Sequence, residues 1–283
     1  METELFYVPE RFFDAHQELL QKLPSIEDYG KKPLVTLEKA LEPLRPLIDN
    51  FEILPWTAKS IMRQPTYDLN YDEAGAIYLY TIWRSKEDQT IPSQLNKALR
   101  SGERNRLNAW SSYLHLLVVA LNKLPPMRGT IWRYGRGDVT NNYQKDCIWL
   151  GFSSCVGPMS NVTNQGKDSV YTVFEIKCIN GKAICNYSEF PQDDEVILMP
   201  GTRLRVMRKE DLTTRLKKIY LQEDENQLLA KPSAWSLPID ITYRTEQDFK
   251  MTIMQPNGEI KSLQSSSKCF GIEQDVLDNI FDY

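Results

Sequence analysis

The first half of the chain places apolar residues at helical spacing. One stripe recurs every three or four positions, and its members are Leu107, Trp110, Leu114, Leu117, Leu121 and Leu124. Such a stripe is typical of an amphipathic helix that packs one face against a core. Pro125 and Pro126 follow directly, so the sequence predicts that this core helix ends there.

Two shorter helices are predicted upstream of this one. The first begins near Asp72–Glu73 and carries Ile77, Tyr80 and Thr81 on one side. The second is predicted to be capped at Ser93 and to run through Leu95 and Leu99.

After Met127 the pattern changes from helical spacing to alternation. Residues 174, 176 and 178 are apolar, and Glu175 and Lys177 lie between them. Asn180–Gly181 is a strong turn signal, so we expect a tight hairpin into residues 182–184. Further strands are predicted over 148–152, 196–199, 204–207 and 218–221, with loops over 139–147 and 155–169. The predicted class is α+β, with a helical N-terminal half packed on a mostly antiparallel β core.

The last sixty residues carry weaker signals. Pro232, Trp235 and Pro238 indicate a loop. Asn257–Gly258 predicts a hairpin between strands at 250–254 and 259–263, and 272–281 is predicted as a closing helix.

Composition fits a globular protein with a full core. The chain has 283 residues, of which 41% are hydrophobic and 25% are charged. This length predicts one main domain with extensions, or two modest domains. The net charge is −4 and no basic face is sustained, so neither nucleic acid nor a membrane surface is expected as a partner.

Cysteine and histidine usage narrows the chemistry. The five cysteines are far apart, which predicts free thiols rather than a disulfide framework or a metal site. His16 and His115 are the only histidines, so a catalytic triad or a histidine-based zinc site is not expected. No signal peptide or membrane span is evident, which predicts a soluble cytoplasmic or otherwise intracellular protein.

Three strand-like segments each carry one residue of candidate chemistry. Arg133 lies in Thr130–Tyr134, Ser154 in Gly151–Cys155, and Glu195 directly precedes an apolar run. A cation, a hydroxyl and a carboxylate delivered by separate strands suggest a site for a doubly phosphorylated ligand that contains a sugar.

Seven short motifs connect these residues to a known family. They are Tyr80–Thr81, Leu95-Asn96-x-Ala98-Leu99-Arg100, Trp132–Arg133, Gly151-Phe152-Ser153-Ser154, Asn180-Gly181-Lys182-x-Ile184, Ser188 and Asp193-Asp194-Glu195-Val196. In order and spacing the chain resembles the eukaryotic arginine-type mono-ADP-ribosyltransferases, the class defined by an Arg, a Ser and a Glu. The resemblance implies a catalytic domain at 35–222, an N-terminal extension at 1–34 and an appended region at 223–283.

The resemblance also implies roles for the three residues. Arg133, at a strand end, would clamp the pyrophosphate of NAD⁺ with paired hydrogen bonds. Ser154 would position the nicotinamide ribose and the carboxylate. Glu195 would stabilise the positive charge that develops on the ribose as nicotinamide leaves. NAD⁺ is the implied co-substrate, and no metal is expected.

Two positions near these residues depart from the family pattern. Asp193 replaces the usual Glu at the acceptor-selecting position, and we expect it on the same side of an extended segment as Glu195. Phe190 resembles the aromatic residue of the acceptor-recognising loop. Tyr134 follows Arg133 where the family has Gly, and the glycine comes one residue later as Gly135. This tyrosine could narrow the pocket at the backbone contact with nicotinamide.

The sequence therefore predicts an NAD⁺-dependent mono-ADP-ribosyltransferase that modifies an exposed arginine of a protein acceptor. An NAD⁺ glycohydrolase is the closest alternative, because Asp193 is one methylene shorter than the family's Glu. A catalytically silent module that binds NAD or ADP-ribose is the alternative from a different class.

Overall fold

The structure is a computed structural model. It describes residues 10–15, 18, 33–48, 52–61, 65, 67–82, 90–157 and 170–225, and the backbone of 251–254 and 260–263. The chain forms two compact units, Met1–Leu237 and Pro238–Tyr283.

Five α-helices are described in the first unit, and they confirm the predicted helical half. They are α1 Leu37–Leu41, α2 Leu54–Ile61, α3 Tyr71–Thr81, α4 Ile91–Ser101 and α5 Arg104–Lys123. α5 is the predicted core helix, and its C-cap is Leu124, directly before the two prolines. The expected N-cap of α4 is wrong by three residues, because the Thr90 side chain accepts the hydrogen bond from the Ser93 backbone N–H.

Seven strands of the first unit form one sheet. They are β1 Met127–Arg136, β2 Cys147–Trp149, β3 Ser153–Val156, β4 Tyr171–Ala183, β5 Glu195–Leu198, β6 Thr202–Asp211 and β7 Leu216–Glu223. The order is β1-β3-β5-β4-β7-β6-β2, with an additional pairing of β1 with β4. Only β4 and β7 pair in parallel among these strands, so the mostly antiparallel α+β prediction is confirmed.

The hairpin predicted at Asn180–Gly181 is wrong. β4 continues through both residues and moves from its partners β1 and β7 to β5. Glu223 replaces the turn hydrogen bonds, because its carboxylate accepts from the backbone N–H groups of Ile179 and Asn180 and from the Asn180 side chain. Gly181 is needed for close packing, since a Cβ there would lie 2.7 Å from Cγ1 of Val196.

Two smaller predictions also change. The strand expected over 148–152 is shorter, because β2 ends at Trp149 and residues 150–152 are not in a strand. The predicted loop at 155–169 begins two residues later because β3 includes 155 and 156. Residues 158–169 lie outside the described part of the chain. The loop predicted at 139–147 contains a short 3₁₀ turn at Thr140–Asn142 and ends where β2 begins.

In the second unit, β8 Met251–Met254 pairs with β9 Ile260–Leu263 in antiparallel register. This confirms the two predicted strands. The turn at 257–258, the loop around 232–238 and the helix at 272–281 lie outside the described residues.

The expectation of five free cysteines is wrong at Cys185. Cys147, Cys155 and Cys178 are free and buried, whereas Cys185 is disulfide-bonded. Among the helices described, none has both the length and the apolarity to cross a membrane.

Candidate active site

Neighbouring strands bring Ser154 and Glu195 together. β3 and β5 pair with Ser154 opposite Ile197 and Val156 opposite Glu195. Side chains at alternate positions share a face, so Ser154 and Glu195 project to the same side of the sheet. The Ser154 hydroxyl lies near enough to the Glu195 carboxylate to favour its ionised form, which opposes the effect of burial on its pKa. The structure therefore places these two predicted site residues side by side on one face of the sheet.

Glu195 is the first residue of β5, and its side chain is 1% exposed. Burial raises the pKa of Glu195, and the Arg11 charge and the Ser154 hydroxyl offset part of this effect. Its Oε2 atom is buried and has no hydrogen-bond partner among the described residues. An unsatisfied buried carboxylate oxygen is costly, and such groups cluster at functional sites.

Arg133 lies within β1 and not at the strand end that the sequence suggested. It pairs with Phe174 of β4, three residues before β1 ends, and its side chain is fully buried. One terminal nitrogen forms an ion pair with Asp14, and the other lies 3.5 Å from Glu18 Oε1. The guanidinium also lies over the Trp149 ring, 4.9 Å from its centroid. Its Nε atom is buried and has no hydrogen-bond partner among the described residues.

Arg100 joins Arg133, Asp14 and Glu18 in a buried charge network. Its guanidinium lies 2.6 Å from Glu18 Oε1 and 3.0 Å from Asp14 Oδ2. Glu18 Oε2 accepts a hydrogen bond from the Leu150 backbone N–H at 3.1 Å. Burial opposes ionisation of Asp14, but the two guanidiniums outweigh it and lower its pKa to about 2. We call these four charged residues the paired network.

Arg11 occupies the other end of the site. It forms an ion pair with Asp193, and its Nε lies 3.4 Å from Glu195 Oε2. Its guanidinium lies over the ring of Phe190, 4.4 Å from the centroid, and over that of Phe12 at 4.5 Å. Both predicted acceptor residues therefore contact this one arginine.

The segment before Glu195 is not extended, so the predicted reason for the proximity of Asp193 is wrong. Asp193 ends a 3₁₀ turn, Pro191–Asp193, and Asp194 has a left-handed conformation with φ of 44°. Asp is among the residues that tolerate this conformation. The turn still brings the Asp193 carboxylate near Glu195, because both contact Arg11.

Tyr134 packs against the N-terminal segment. Its ring is fully buried and stacks on Phe13, with 5.2 Å between the centroids. The next residue, Gly135, forms an isolated antiparallel bridge with Asp14 through the backbone. In this arrangement Tyr134 and Gly135 contact residues 13 and 14 in addition to their partners in β4.

Four site residues were not singled out from the sequence: Arg11, Asp14, Glu18 and Arg100. Arg100 belongs to a quoted motif but was given no role. A signal for two of the four lies in the sequence Glu10-Arg11-Phe12-Phe13-Asp14, which combines adjacent aromatic residues with opposite charges. Such a pattern is typical of a segment that buries its aromatic rings and forms ion pairs with its charged side chains. Among the described residues, no group of three or more His, Cys, Asp or Glu side chains could hold a metal ion.

A model of the family described as NAD:arginine ADP-ribosyltransferase matches residues 54–228, which is more than half of the chain. The chain therefore belongs to the NAD:arginine ADP-ribosyltransferase family. It is an enzyme that uses NAD⁺ as a co-substrate and transfers ADP-ribose to arginine with release of nicotinamide.

Several solved structures are similar to the chain at low identity. The ADP-ribosyltransferase HopU1 of Pseudomonas syringae pv. Tomato DC3000 is 17% identical, with a TM-score of 0.48, covering 78% of this chain and 100% of HopU1. Vis toxin from Vibrio splendidus is 18% identical, with a TM-score of 0.44, covering 72% and 93%. The eukaryotic mono-ADP-ribosyltransferase ART2.2 is 16% identical, with a TM-score of 0.48, covering 70% and 95%. A comparison with curated protein sequences gave no match.

Proposed function

We propose that Glu195, Ser154 and Arg133 carry the transfer and that the chain is of the eukaryotic Arg-Ser-Glu class. The observation that supports this most is the buried Glu195 carboxylate beside Ser154, whose Oε2 makes no hydrogen bond among the described residues and faces the Arg11 Nε at 3.4 Å. A carboxylate fixed in this way is preorganised to stabilise positive charge on a ribose.

Glu195 is proposed to accept a hydrogen bond from the ribose and to stabilise the cationic character that develops at its anomeric carbon. Ser154 is proposed to hold the carboxylate in place. Loss of one preorganised group of this kind costs about 10²–10³ in rate, or about 2.7–4 kcal/mol.

Arg133 is proposed to face the pyrophosphate through its Nε atom. The two terminal nitrogens contact Asp14 and Glu18, whereas the buried Nε has no hydrogen-bond partner among the described residues. A donor in that position fits an anionic oxygen, and phosphate is the anion that the co-substrate supplies.

Asp193 and Phe190 are proposed to bind the guanidinium of the acceptor, an exposed arginine of a protein. A carboxylate and an aromatic face are the two groups that recognise a planar cation. Both already surround one guanidinium, that of Arg11. The proposed catalytic domain spans 35–222, with 1–34 and 223–283 as extensions, and Arg11, Asp14 and Glu18 of the first extension contribute to the site.

The test is an assay with NAD⁺ and agmatine as a free guanidinium acceptor, measuring released nicotinamide and ADP-ribosylated product separately. We expect both products with the unmodified protein and a loss of both with Glu195→Gln. Asp194→Asn is the matched control, because Asp194 is an exposed acid of the same turn and Asn tolerates its left-handed conformation. Nicotinamide without adduct would support a glycohydrolase instead, and equal loss in both variants would contradict the assignment of Glu195.

A further inference from the structure

The Arg11 guanidinium lies among the three side chains that the proposed function assigns to the acceptor and to the reacting carbon. Asp193 and Glu195 form ion pairs with it, and Phe190 supplies an aromatic face. Arg11 is distant in sequence from all three, since 182 positions separate it from Asp193. An arginine from the same chain therefore occupies the place proposed for an acceptor arginine.

The setting of Arg11 differs from that of an ordinary surface arginine. Its side chain is 6% exposed, and its buried Nε faces Glu195 Oε2 at 3.4 Å without making a hydrogen bond to any described residue. A buried guanidinium is costly unless its donors are satisfied. The position fits a group that is presented to a reaction partner.

The rest of the segment holds Arg11 in place. Phe12 and Phe13 are buried, and Phe13 stacks on Tyr134. Asp14 bridges Gly135 through the backbone and pairs with Arg133 through its side chain. Because these contacts are intramolecular, Arg11 is present at a high effective concentration, and its ordering entropy is already lost on folding.

We propose that Arg11 is an intramolecular acceptor, so that the enzyme transfers ADP-ribose to its own Arg11 in cis. A terminal guanidinium nitrogen of Arg11 forms a bond to the anomeric carbon of the nicotinamide ribose. The bond from that carbon to nicotinamide breaks, and nicotinamide leaves with the bonding electron pair. The attacking nitrogen loses one proton, which Asp193 accepts and passes to solvent. This inference rests on the proposed function and names a substrate for the same site.

The paired network is compatible with this reaction. Asp14 and Glu18 contact the terminal nitrogens of Arg133, and its buried Nε makes no hydrogen bond among the described residues. The anchor of the segment can therefore stay in place while Arg133 faces a phosphate. Modification of Arg11 would add a bulky anionic group beside two carboxylates, so like-charge repulsion should release Arg11 from the acceptor position afterwards.

The experiment incubates the full chain with NAD⁺ alone and locates ADP-ribose by mass spectrometry of its peptides. We expect one adduct per chain, on Arg11, formed with a half-time that stays constant over about a hundredfold dilution of the protein, because a cis reaction is unimolecular. Arg11→Lys should remove the adduct. Arg106→Lys is the control, since Arg106 is exposed and pairs with Glu103 on the surface of α5.

Transfer to agmatine is measured in parallel and separates the two hypotheses. With Arg11→Lys we expect several-fold faster transfer to agmatine, because the competing acceptor has been removed. Agmatine adduct in the unmodified protein without any adduct on Arg11 would overturn the inference and leave the proposed function intact. An adduct whose half-time shortens in proportion to protein concentration would overturn the cis reaction. Absence of nicotinamide release and of every adduct would overturn both.

Discussion

The two ends of the site differ in how their charges are balanced. At the Arg133 end, two guanidiniums face two carboxylates in the paired network, and the pKa of Asp14 is lowered. At the Glu195 end, one guanidinium faces the carboxylates of Asp193 and Glu195, and the pKa of Glu195 is raised. The first end is neutral, and the second carries an excess negative charge. A site for a cationic acceptor and a cationic ribose needs its negative charge where the second end has it.

The largest expected effect on stability is at Glu18. Glu18→Ala takes from the buried Arg100 and Arg133 one of the two carboxylates that pair with them among the described residues. Removing one member of a buried ion pair costs about 3–5 kcal/mol. Urea unfolding of the two proteins measures this loss. A double-mutant cycle with Arg100→Ala should show coupling, since the two side chains contact each other. A loss below about 1 kcal/mol, as for a surface pair, would contradict a structural role for the network.

Low pH should reduce the stability that the Arg133 end of the site contributes to the fold. The folded-state pKa of Asp14, about 2, lies below its ordinary value of 3.8. Its contribution to stability is therefore complete above pH 3.8 and is lost as the pH falls towards 2. The difference corresponds to about 2 kcal/mol. Free energies of unfolding measured between pH 2 and 5 for the unmodified protein and Asp14→Asn should converge at the acid end. If the free energies of unfolding of the two proteins instead stayed parallel with pH, ion pairing would not be what stabilises ionised Asp14 in the folded protein.

The contribution of Glu195 to the free energy of unfolding should change with pH in the opposite direction to that of Asp14. Burial raises the pKa of Glu195, so its ionised form at neutral pH is a cost to the folded state, and that cost appears as the pH rises from the unfolded to the folded pKa. Glu195→Gln is expected to raise the free energy of unfolding by roughly 1 kcal/mol while it removes activity, as is common for strained active-site groups. Thermal unfolding at pH 7 checks this. If Glu195→Gln were less stable than the unmodified protein, the Glu195 charge would stabilise the fold as the paired network does, and the two ends would not differ.

The structure explains why the sequence predicted one part of the site and missed the other. Ser154 and Glu195 lie in short strands whose apolar runs are visible in the sequence itself. The helical spacing of apolar residues likewise predicted α5, and the two prolines predicted its end. Asn180–Gly181 gave a false hairpin because Glu223, forty residues further along, accepts the backbone hydrogen bonds there. A local turn signal carries no information about such a partner.

The paired network could not be predicted for the same reason. The family resemblance predicts Arg133 at a strand end, where its guanidinium would face the pyrophosphate. Its partners come from residues 14 and 18, more than a hundred positions away, and long-range pairing leaves no periodic signal.

The smallest expected effect is at Tyr134, which tests whether this departure from the family pattern is a packing feature. Its hydroxyl is buried without a hydrogen-bond partner among the described residues, and its ring stacks on Phe13. Removing an unsatisfied hydroxyl is nearly neutral or slightly stabilising, so Tyr134→Phe should change the free energy of unfolding by less than about 0.5 kcal/mol. The KM for NAD⁺ should also be unchanged. A clear rise in KM would show that the hydroxyl contacts the co-substrate.

We assign the cleavage of NAD⁺ to Glu195 at the negatively charged end of the site. The most direct test of this assignment is the kcat/KM for nicotinamide release from NAD⁺, measured for Glu195→Gln against Asp194→Asn. We expect a loss of about 10²–10³ for the first variant and almost none for the second. Nicotinamide release that survives Glu195→Gln at the control rate would contradict the claim.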